Sequence, residues 1–286
     1  MAEDKTLSPV RKRHDFLLQA LLSASGALVC ILLFFLTGYL LWRGLPYITW
    51  NLLTKEPSML QGTAGLLPHI ASTLYIVVTT LVLVLPLGVG AAVYLTEYAQ
   101  GSRLAAWVEF AAEILAGVPS IIFGLVGMLF FVQIWGLGTG VLAGSLTLTI
   151  MILPTILRTT QESLKTVPNA YREGAMGLGA GKWRAIRTVV LPSAADGILT
   201  GCILAVGRMV GESAALLFTA GFGTILYGWW ESLTSSSATL SVALYLYANE
   251  RGDTDTAFAI AAILALLTLA VNLLAKLAGR KLKRSR

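Results

Sequence analysis

The stretch HIASTLYIVVTTLVLVLPLGVGAAVYLT, residues 69–96, contains no aspartate, glutamate, lysine or arginine. An α-helix rises about 1.5 Å per residue, so roughly 20 mostly apolar residues cross the hydrocarbon core of a bilayer, which is about 30 Å thick. Residues 69–96 therefore predict a helix that spans a membrane.

The composition of the whole chain agrees with this prediction. Of its 286 residues, 56% are hydrophobic and only 13% are charged, and the mean hydropathy is +0.76. Soluble domains carry about 25% charged residues. The composition therefore excludes a soluble enzyme, a disordered tail and a fibrous rod. Both cysteines, Cys30 and Cys202, lie in apolar stretches, which does not indicate a disulfide framework.

Five further stretches are apolar and long enough to span, which predicts an all-α membrane protein with six transmembrane helices. The first stretch is longer than the apolar core of a signal peptide, so we expect it to be retained. Pro86, Pro119 and Pro154 are expected to break or kink the helices that contain them. The six predicted spans are 16–42, 69–96, 105–135, 138–158, 189–219 and 255–278.

The positions of the basic residues predict the orientation of the chain. With six spans, both termini lie on one side, and 17 of the 21 lysines and arginines fall on that side or at its edge. Cytoplasmic loops of membrane proteins are enriched in these residues. Both termini are therefore expected in the cytoplasm, and the basic composition reports topology rather than nucleic-acid binding.

Residues 159–188 form the one sizeable polar stretch between predicted spans. Pro168 is typical of the first turn of a helix, and Gly179 is typical of the position after its end. These signals predict a short cytoplasmic helix over 168–178 and a second one near 181–188. The first helix is rich in small residues, which favours close approach by another protein surface.

A fixed pattern runs through this stretch and into the fifth span. Glu-Gly-Ala at 173–175 is followed by Gly179, Val189 and Leu191-Pro192. The pattern resembles the EAA loop of ABC-importer permeases, with glycine for alanine at 174 and valine for isoleucine at 189. The resemblance implies the type I ABC-importer permease fold and a coupling helix that sits in a groove of an ATPase subunit. The residues implied in coupling are Glu173, Gly174, Ala175, Gly179, Leu191 and Pro192.

The same stretch does not match a nucleotide-binding loop. Before Gly181-Lys182, Met176 occupies the position of the first P-loop glycine, and Trp183 replaces the required serine or threonine. We therefore expect no cofactor in this chain and no catalytic activity of its own, with ATP bound by a partner ATPase.

Arg208 and Glu212 are charged residues inside the fifth predicted span. They are four residues apart, so one continuous helix would place them on the same face. One interpretation is a salt bridge with no further role. The other is a site for an anion in a transport pathway, since guanidinium groups bind phosphate-like oxygens through paired hydrogen bonds. The residues alone leave both interpretations open.

Three stretches resemble the PstA family, the permeases of bacterial phosphate importers: 94–99, 115–120 and 208–219. The resemblance covers roughly 65–280. It implies several partners of this chain. It also links the arginine at position 208, and less directly Glu212, to the passage of inorganic phosphate. The implied partners are a PstC-like permease, two copies of a PstB-like ATPase, a PstS-like phosphate-binding protein and the lipid of a bacterial inner membrane.

The predicted organisation has a permease domain over 69–278, which includes the coupling loop 159–188. It is preceded by a basic tail (1–15) and a first helix with its external loop (16–68), and it is followed by a basic tail (279–286). The alternatives to a phosphate importer are a permease for sulfate or molybdate, an ion-coupled transporter and a structural membrane protein. We see no internal repeat for the second alternative, and the third does not explain the cytoplasmic motif.

Overall fold

The computed structural model describes residues 9–57 and 64–284, and in them it forms helices joined by turns and loops, with no strand. The predicted basic tails, 1–15 and 279–286, lie partly outside these residues. The helices are α1 (Pro9–Gly44), α2 (Trp50–Thr54), α3 (Leu67–Val93), α4 (Arg103–Gly117), α5 (Ser120–Gly127), α6 (Val141–Lys165), α7 (Asn169–Gly177), α8 (Lys182–Ala185), α9 (Leu191–Val210), α10 (Ala214–Thr219), α11 (Trp229–Ser232), α12 (Leu240–Tyr245) and α13 (Thr254–Arg284).

Short π-helical turns extend several of these helices. They cover Tyr94–Tyr98 after α3, Met128–Ile134 after α5, Ile186–Val190 between α8 and α9, and Leu246–Glu250 after α12. Turns of this kind are frequent at functional sites because they change the direction in which side chains project.

Within the described residues, five helical segments are long and apolar enough to cross a membrane, and a bent pair makes a sixth candidate span. The all-α fold with six candidate spans is therefore as predicted. The observed segments extend beyond several predicted limits: α6 continues to Lys165, and the helix that ends as α9 begins at Lys182. The charged ends of these helices add length that a search for apolar residues leaves out.

The third predicted span is not one straight helix. Helices α4 and α5 meet at an angle of 102°. The break falls at Val118 and Pro119, which are both extended, with ψ of 131° and 140°. Proline removes a helical hydrogen bond and pushes the preceding residue out of the helical region. By contrast, Pro86 and Pro154 lie inside the continuous helices α3 and α6.

The fifth predicted span also ends earlier than expected. Its helix stops at Val210, and α10 starts separately at Ala214. Helix α10 packs closely on α5, where a β-carbon at Gly124 would lie 2.9 Å from the Cα of Ala215. The prediction of one continuous helix over 189–219 was therefore wrong, because the chain redirects after Gly211 to form this second contact.

Helix α6 lies at the centre of the bundle and packs against α3 and α9. Three glycines allow these close approaches, since a β-carbon at any of them would collide with a side chain of α6. The colliding side chains are Ile156 for Gly88, Ser163 for Gly197 and Thr159 for Gly201. Helix α1, by contrast, exposes most of its length and packs on α13.

Candidate functional site

Helix α7 begins directly after Pro168 and ends before Gly179, whose φ of +86° lies in the left-handed region. Two hydrogen bonds close this end: Ala180 N donates to Ala175 O at 3.1 Å, and Gly179 N donates to Met176 O at 2.9 Å. Together they form a Schellman motif, which favours glycine where φ is positive. The short helix predicted in this polar segment is confirmed, and Gly179 is the residue that ends it.

The residues of α7 that match the pattern face outwards from this chain. Glu173 and Gly174 are exposed and Ala175 is half-buried. A β-carbon on Gly174 would meet nothing within 4 Å, so packing within this chain does not require a glycine there. Leu178 is 93% exposed and Tyr171 is 54% exposed. The outer surface of α7 is thus small and partly apolar, as a surface that receives another protein would be.

The last two residues of the pattern, Leu191 and Pro192, open helix α9 after the π-helical turn. Leu191 packs against a cluster of buried side chains near the end of α6, and that cluster includes Leu164 and Val167. The second predicted cytoplasmic helix is observed as α8, which continues through the turn into α9. The pattern therefore joins the outer surface of α7 to the base of a membrane-spanning helix.

A nearly buried ion pair connects α7 to the end of α3. Arg172 Nη2 lies 2.7 Å from Glu97 Oε1, and Arg172 Nε donates to both carboxylate oxygens at 3.1 and 3.2 Å. The same guanidinium donates to Val167 O at 2.7 Å and to Leu164 O at 3.0 Å. The side chains of Arg172 and Glu97 are only 17% and 7% exposed. Such paired hydrogen bonds fix the orientation of both partners.

Arg208 lies near the middle depth of the bundle. Helices α6 and α9 run antiparallel, with Gly197 opposite Ser163 and Gly201 opposite Thr159. Arg208 is two turns beyond Gly201, about 10 Å further along the helix. The same register places it level with the middle of α6.

The side chain of Arg208 is exposed on the surface of the chain. Within the described residues, the ion pairs within 4.0 Å join Arg158 to Glu113 and Arg172 to Glu97, and Arg208 is in neither. A charge at this depth in a bilayer persists where it faces protein or water rather than lipid.

Glu212 does not share a helical face with Arg208, so that expectation was wrong. The helix ends at Val210, and Glu212 lies in the break before α10. Its Oε1 accepts a hydrogen bond from Ala215 N at 3.1 Å, and its main-chain oxygen accepts one from Ser241 Oγ at 2.6 Å. Glu212 therefore stabilises the start of α10, and the simple salt-bridge interpretation of the two residues is not supported.

Two polar clefts flank the half of α6 that ends at Lys165. One, of about 430 Å³, lies against α4 and contains Glu113 and Arg158, whose charged atoms are 3.7 Å apart. The other, of about 420 Å³, lies against α9 and contains Asp196. Glu162 borders both clefts. This part of the chain surface is therefore lined by charged and polar side chains, which favour contact with water over contact with lipid.

Neither ion pair, Glu97 with Arg172 or Glu113 with Arg158, was predicted from the sequence. Glu97 appeared within a family-like stretch, and Arg172 was counted with the cytoplasmic basic residues. The partners lie 75 residues apart in the first pair, and no local spacing rule connects residues so distant. One signal in the sequence was Glu97, the acidic residue that ends a long apolar span, together with the basic residues of the polar segment 159–188.

Comparisons with known proteins agree on the class of protein. A family model described as "Binding-protein-dependent transport system inner membrane component" matches residues 84–284. The chain is 32% identical over 283 residues to a probable ABC transporter permease protein, YqgI, of Bacillus subtilis, covering 94% of this chain and 96% of that protein. It is 34% identical over 269 residues to the phosphate transport system permease protein PstA of Haemophilus influenzae, covering 93% and 94%.

The fold is also found in a solved structure, a bacterial alginate ABC transporter in complex with a periplasmic protein that carries an alginate pentasaccharide. The TM-score is 0.68 at 17% identity, covering 94% of this chain and 96% of the matched chain. This likeness shows a common fold, and the low identity carries no statement about substrate.

Proposed function

The chain belongs to the family of binding-protein-dependent transport system inner membrane components, and from that premise we propose that it is the PstA-like half of an ATP-driven phosphate importer. Members of the family are multi-pass subunits of ABC importers. They work with a second permease, an ATPase and a periplasmic binding protein, and they are not catalytic themselves. The proposal adds the substrate, the residues that serve it and the identity of the partners.

The observation that carries the substrate proposal is the exposed Arg208 at the middle depth of the bundle. Its side chain has no acidic partner within the described residues, so its hydrogen-bond donors are available to a ligand or to the partner permease. A guanidinium remains charged and matches the oxygens of phosphate through paired hydrogen bonds. The identity of 34% to a PstA protein supports phosphate among the oxyanions.

Glu212 has a supporting part in this proposal. By accepting the hydrogen bond from Ala215 N, it holds the break between α9 and α10 in place. The break ends the helix two residues after Arg208, and so it fixes where the guanidinium lies. Arg208 would then contact phosphate, and Glu212 would position the backbone beside it.

The outer surface of α7 is the proposed contact with the ATPase. Glu173, Gly174 and Ala175 would lie against a groove of a PstB-like subunit, and Gly179 would set the length of the helix. Leu191 and Pro192 would transmit the movement into α9. With α7 in the cytoplasm, both termini would be cytoplasmic as well, in the inner membrane of a bacterium.

Reconstitution of the whole importer tests the proposal. The chain would be coexpressed with the PstC-like, PstB-like and PstS-like subunits of its own genome, purified as a complex and placed in liposomes. We expect ATP-dependent uptake of radiolabelled phosphate that excess sulfate or molybdate does not reduce. Uptake of sulfate or molybdate in preference to phosphate would support the alternative, a permease for another oxyanion.

A further inference from the structure

The ion pair between Glu97 and Arg172 joins two elements with different roles. Glu97 lies in the π-helical turn Tyr94–Tyr98, at the end of α3, and Arg172 lies in α7. We propose that this pair is a mechanical clamp that makes α3 move with α7 when the ATPase subunits close. The inference rests on the proposed function of α7 as the contact with the ATPase. It adds two positioning residues and a path for the movement.

The geometry around Arg172 leaves the guanidinium little freedom. Its Nε and Nη2 atoms hold the carboxylate of Glu97, while Nη1 and Nη2 hold the carbonyl oxygens of Val167 and Leu164. One side chain therefore fastens α7 to the end of α3 and to the end of α6 together. In the described part of the chain, every hydrogen bond between α7 and the turn Tyr94–Tyr98 passes through this pair.

Burial distinguishes the clamp from an ordinary surface ion pair. The side chains of Glu97 and Arg172 are 7% and 17% exposed, whereas those of Glu113 and Arg158 are 71% and 45% exposed at 3.7 Å. Exposed pairs are weakened by water and salt, while removal of one partner from a buried pair leaves a charge without compensation. A buried pair with several hydrogen bonds can therefore transmit force that a solvated pair cannot.

Helix α3 can carry the movement to the opposite end of the bundle. It is helical from Leu67, and the π-helical turn continues it through Glu97, so its His69 end lies about 40 Å from Glu97. At that far end, His69 Nδ1 lies 3.0 Å from Ala238 O, and Leu240 N donates to Thr73 Oγ1 at 2.9 Å.

These contacts lead to the break beside Arg208. Ser241 follows Leu240 directly, and its Oγ donates to Glu212 O at 2.6 Å. A shift of α3 along its axis would therefore act on the segment that holds the break after α9. The clamp is the cytoplasmic end of this path, and Arg208 lies four residues before its other end at Glu212.

The test uses the complete complex in liposomes and measures phosphate imported per ATP hydrolysed. The variants are Glu97→Gln, Arg172→Gln, the two together, and Arg172→Lys. We expect each single glutamine variant to retain hydrolysis while the ratio falls about tenfold, within the usual range of coupling between sites. The double variant should fall no further, because the two residues act as one unit. Arg172→Lys keeps the positive charge but cannot form the paired hydrogen bonds. Its ratio of phosphate to ATP should therefore fall less than that of the glutamine variants.

Matched controls separate the clamp from general effects of lost charge. Glu56→Gln and Arg103→Gln change exposed residues outside the clamp and should leave the ratio unchanged. The amount of ATPase that copurifies corrects each value for assembly. If the glutamine variants do not assemble, Arg172→Lys decides the matter.

A wild-type ratio in either glutamine variant would overturn the inference, as would additive losses in the double variant. Where the glutamine variants do not assemble, a wild-type ratio in Arg172→Lys would overturn it. So would an equal loss of uptake and hydrolysis, which indicates a structural role only. Failure of the wild-type complex to import phosphate would contradict the proposed function instead. The clamp would then be tested by measuring, for the wild type and the variants, how much of the substrate that the complex does import is transported per ATP hydrolysed.

Discussion

At the scale of single residues, Arg208 shows how depth and exposure together determine what a charge can do. It lies level with the middle of α6, yet its side chain is exposed on the chain surface. Insertion of an arginine at the centre of a membrane helix costs about 2.5–3.5 kcal/mol on translocon scales. Water or a partner subunit at this surface would offset that cost, which is why we propose this surface as a wall of the pathway.

The substitution Arg208→Lys tests the paired hydrogen bonds of the guanidinium group separately from its charge. Lysine keeps a positive charge but presents a compact ammonium that does not form the paired hydrogen bonds. We expect uptake of phosphate by the reconstituted complex to fall by about tenfold, the equivalent of one lost charge-assisted hydrogen bond. Arg103→Lys, at the start of α4, is the control and should transport normally. Wild-type uptake in Arg208→Lys would remove Arg208 from the proposed site.

At the scale of elements, α7 has a well-defined C-terminal end and an outer surface that the rest of the chain does not cover. The Schellman motif at Gly179 ends the helix, and Glu173 is exposed within it. An exposed side chain contributes little to folding, so a change of its charge mainly affects what binds there.

Reversing the charge at Glu173 tests the contact with the ATPase. We expect Glu173→Lys to insert and assemble with the second permease but to lose stimulation of ATP hydrolysis by the loaded binding protein. Asp15→Lys makes the same change of charge on α1, which packs on α13, and should hydrolyse ATP normally. Normal copurification and stimulated hydrolysis in Glu173→Lys would contradict the assignment of α7.

The crossing of α6 and α9 makes a prediction about stability. A β-carbon at Gly201 would collide with Thr159, whereas one at Gly207 on the same helix would meet nothing within 4 Å. Both substitutions to alanine raise helix propensity by about 1 kcal/mol. We expect Gly207→Ala to be neutral or stabilising and Gly201→Ala to destabilise by about 1–3 kcal/mol through overpacking.

Thermal unfolding of the purified chain in detergent measures this difference. A higher or equal midpoint for Gly201→Ala than for Gly207→Ala would show that the two helices do not meet at this glycine as described.

At the scale of the whole molecule, the proposed function makes this chain one of two permeases that together line the transport pathway. Its polar clefts beside α6 and its exposed arginine lie on surfaces that the chain does not cover itself. Under the proposed function, the movement that opens and closes the pathway comes from the ATPase subunits through α7. The proposed function therefore depends on partner subunits.

Isolation of the chain tests this dependence. In liposomes without the other subunits, we expect no uphill uptake of phosphate on addition of ATP, because the chain supplies a pathway wall and no energy source. Addition of the partner permease, ATPase and binding protein should restore uptake. Uphill transport by the chain alone would contradict the assignment as a permease half.

Features that depend on neighbouring residues were determined by the sequence itself. Apolar stretches long enough to cross a bilayer predicted the candidate spans, because the cost of burying polar groups in lipid acts on each segment separately. Pro168 and Gly179 predicted α7, because helix ends follow local backbone rules.

Only the tertiary structure determined the helix breaks and the long-range ion pair, because both depend on contacts between residues that are distant in the sequence. Pro119 breaks its span while Pro86 and Pro154 lie within continuous helices, although each proline loses the same hydrogen bond. Helix α9 ends at Val210 where α10 turns to pack against Gly124, and this break separates Arg208 from Glu212. The pairing of Glu97 with Arg172 required the fold to bring together residues 75 positions apart, a distance over which sequence spacing carries no geometric information.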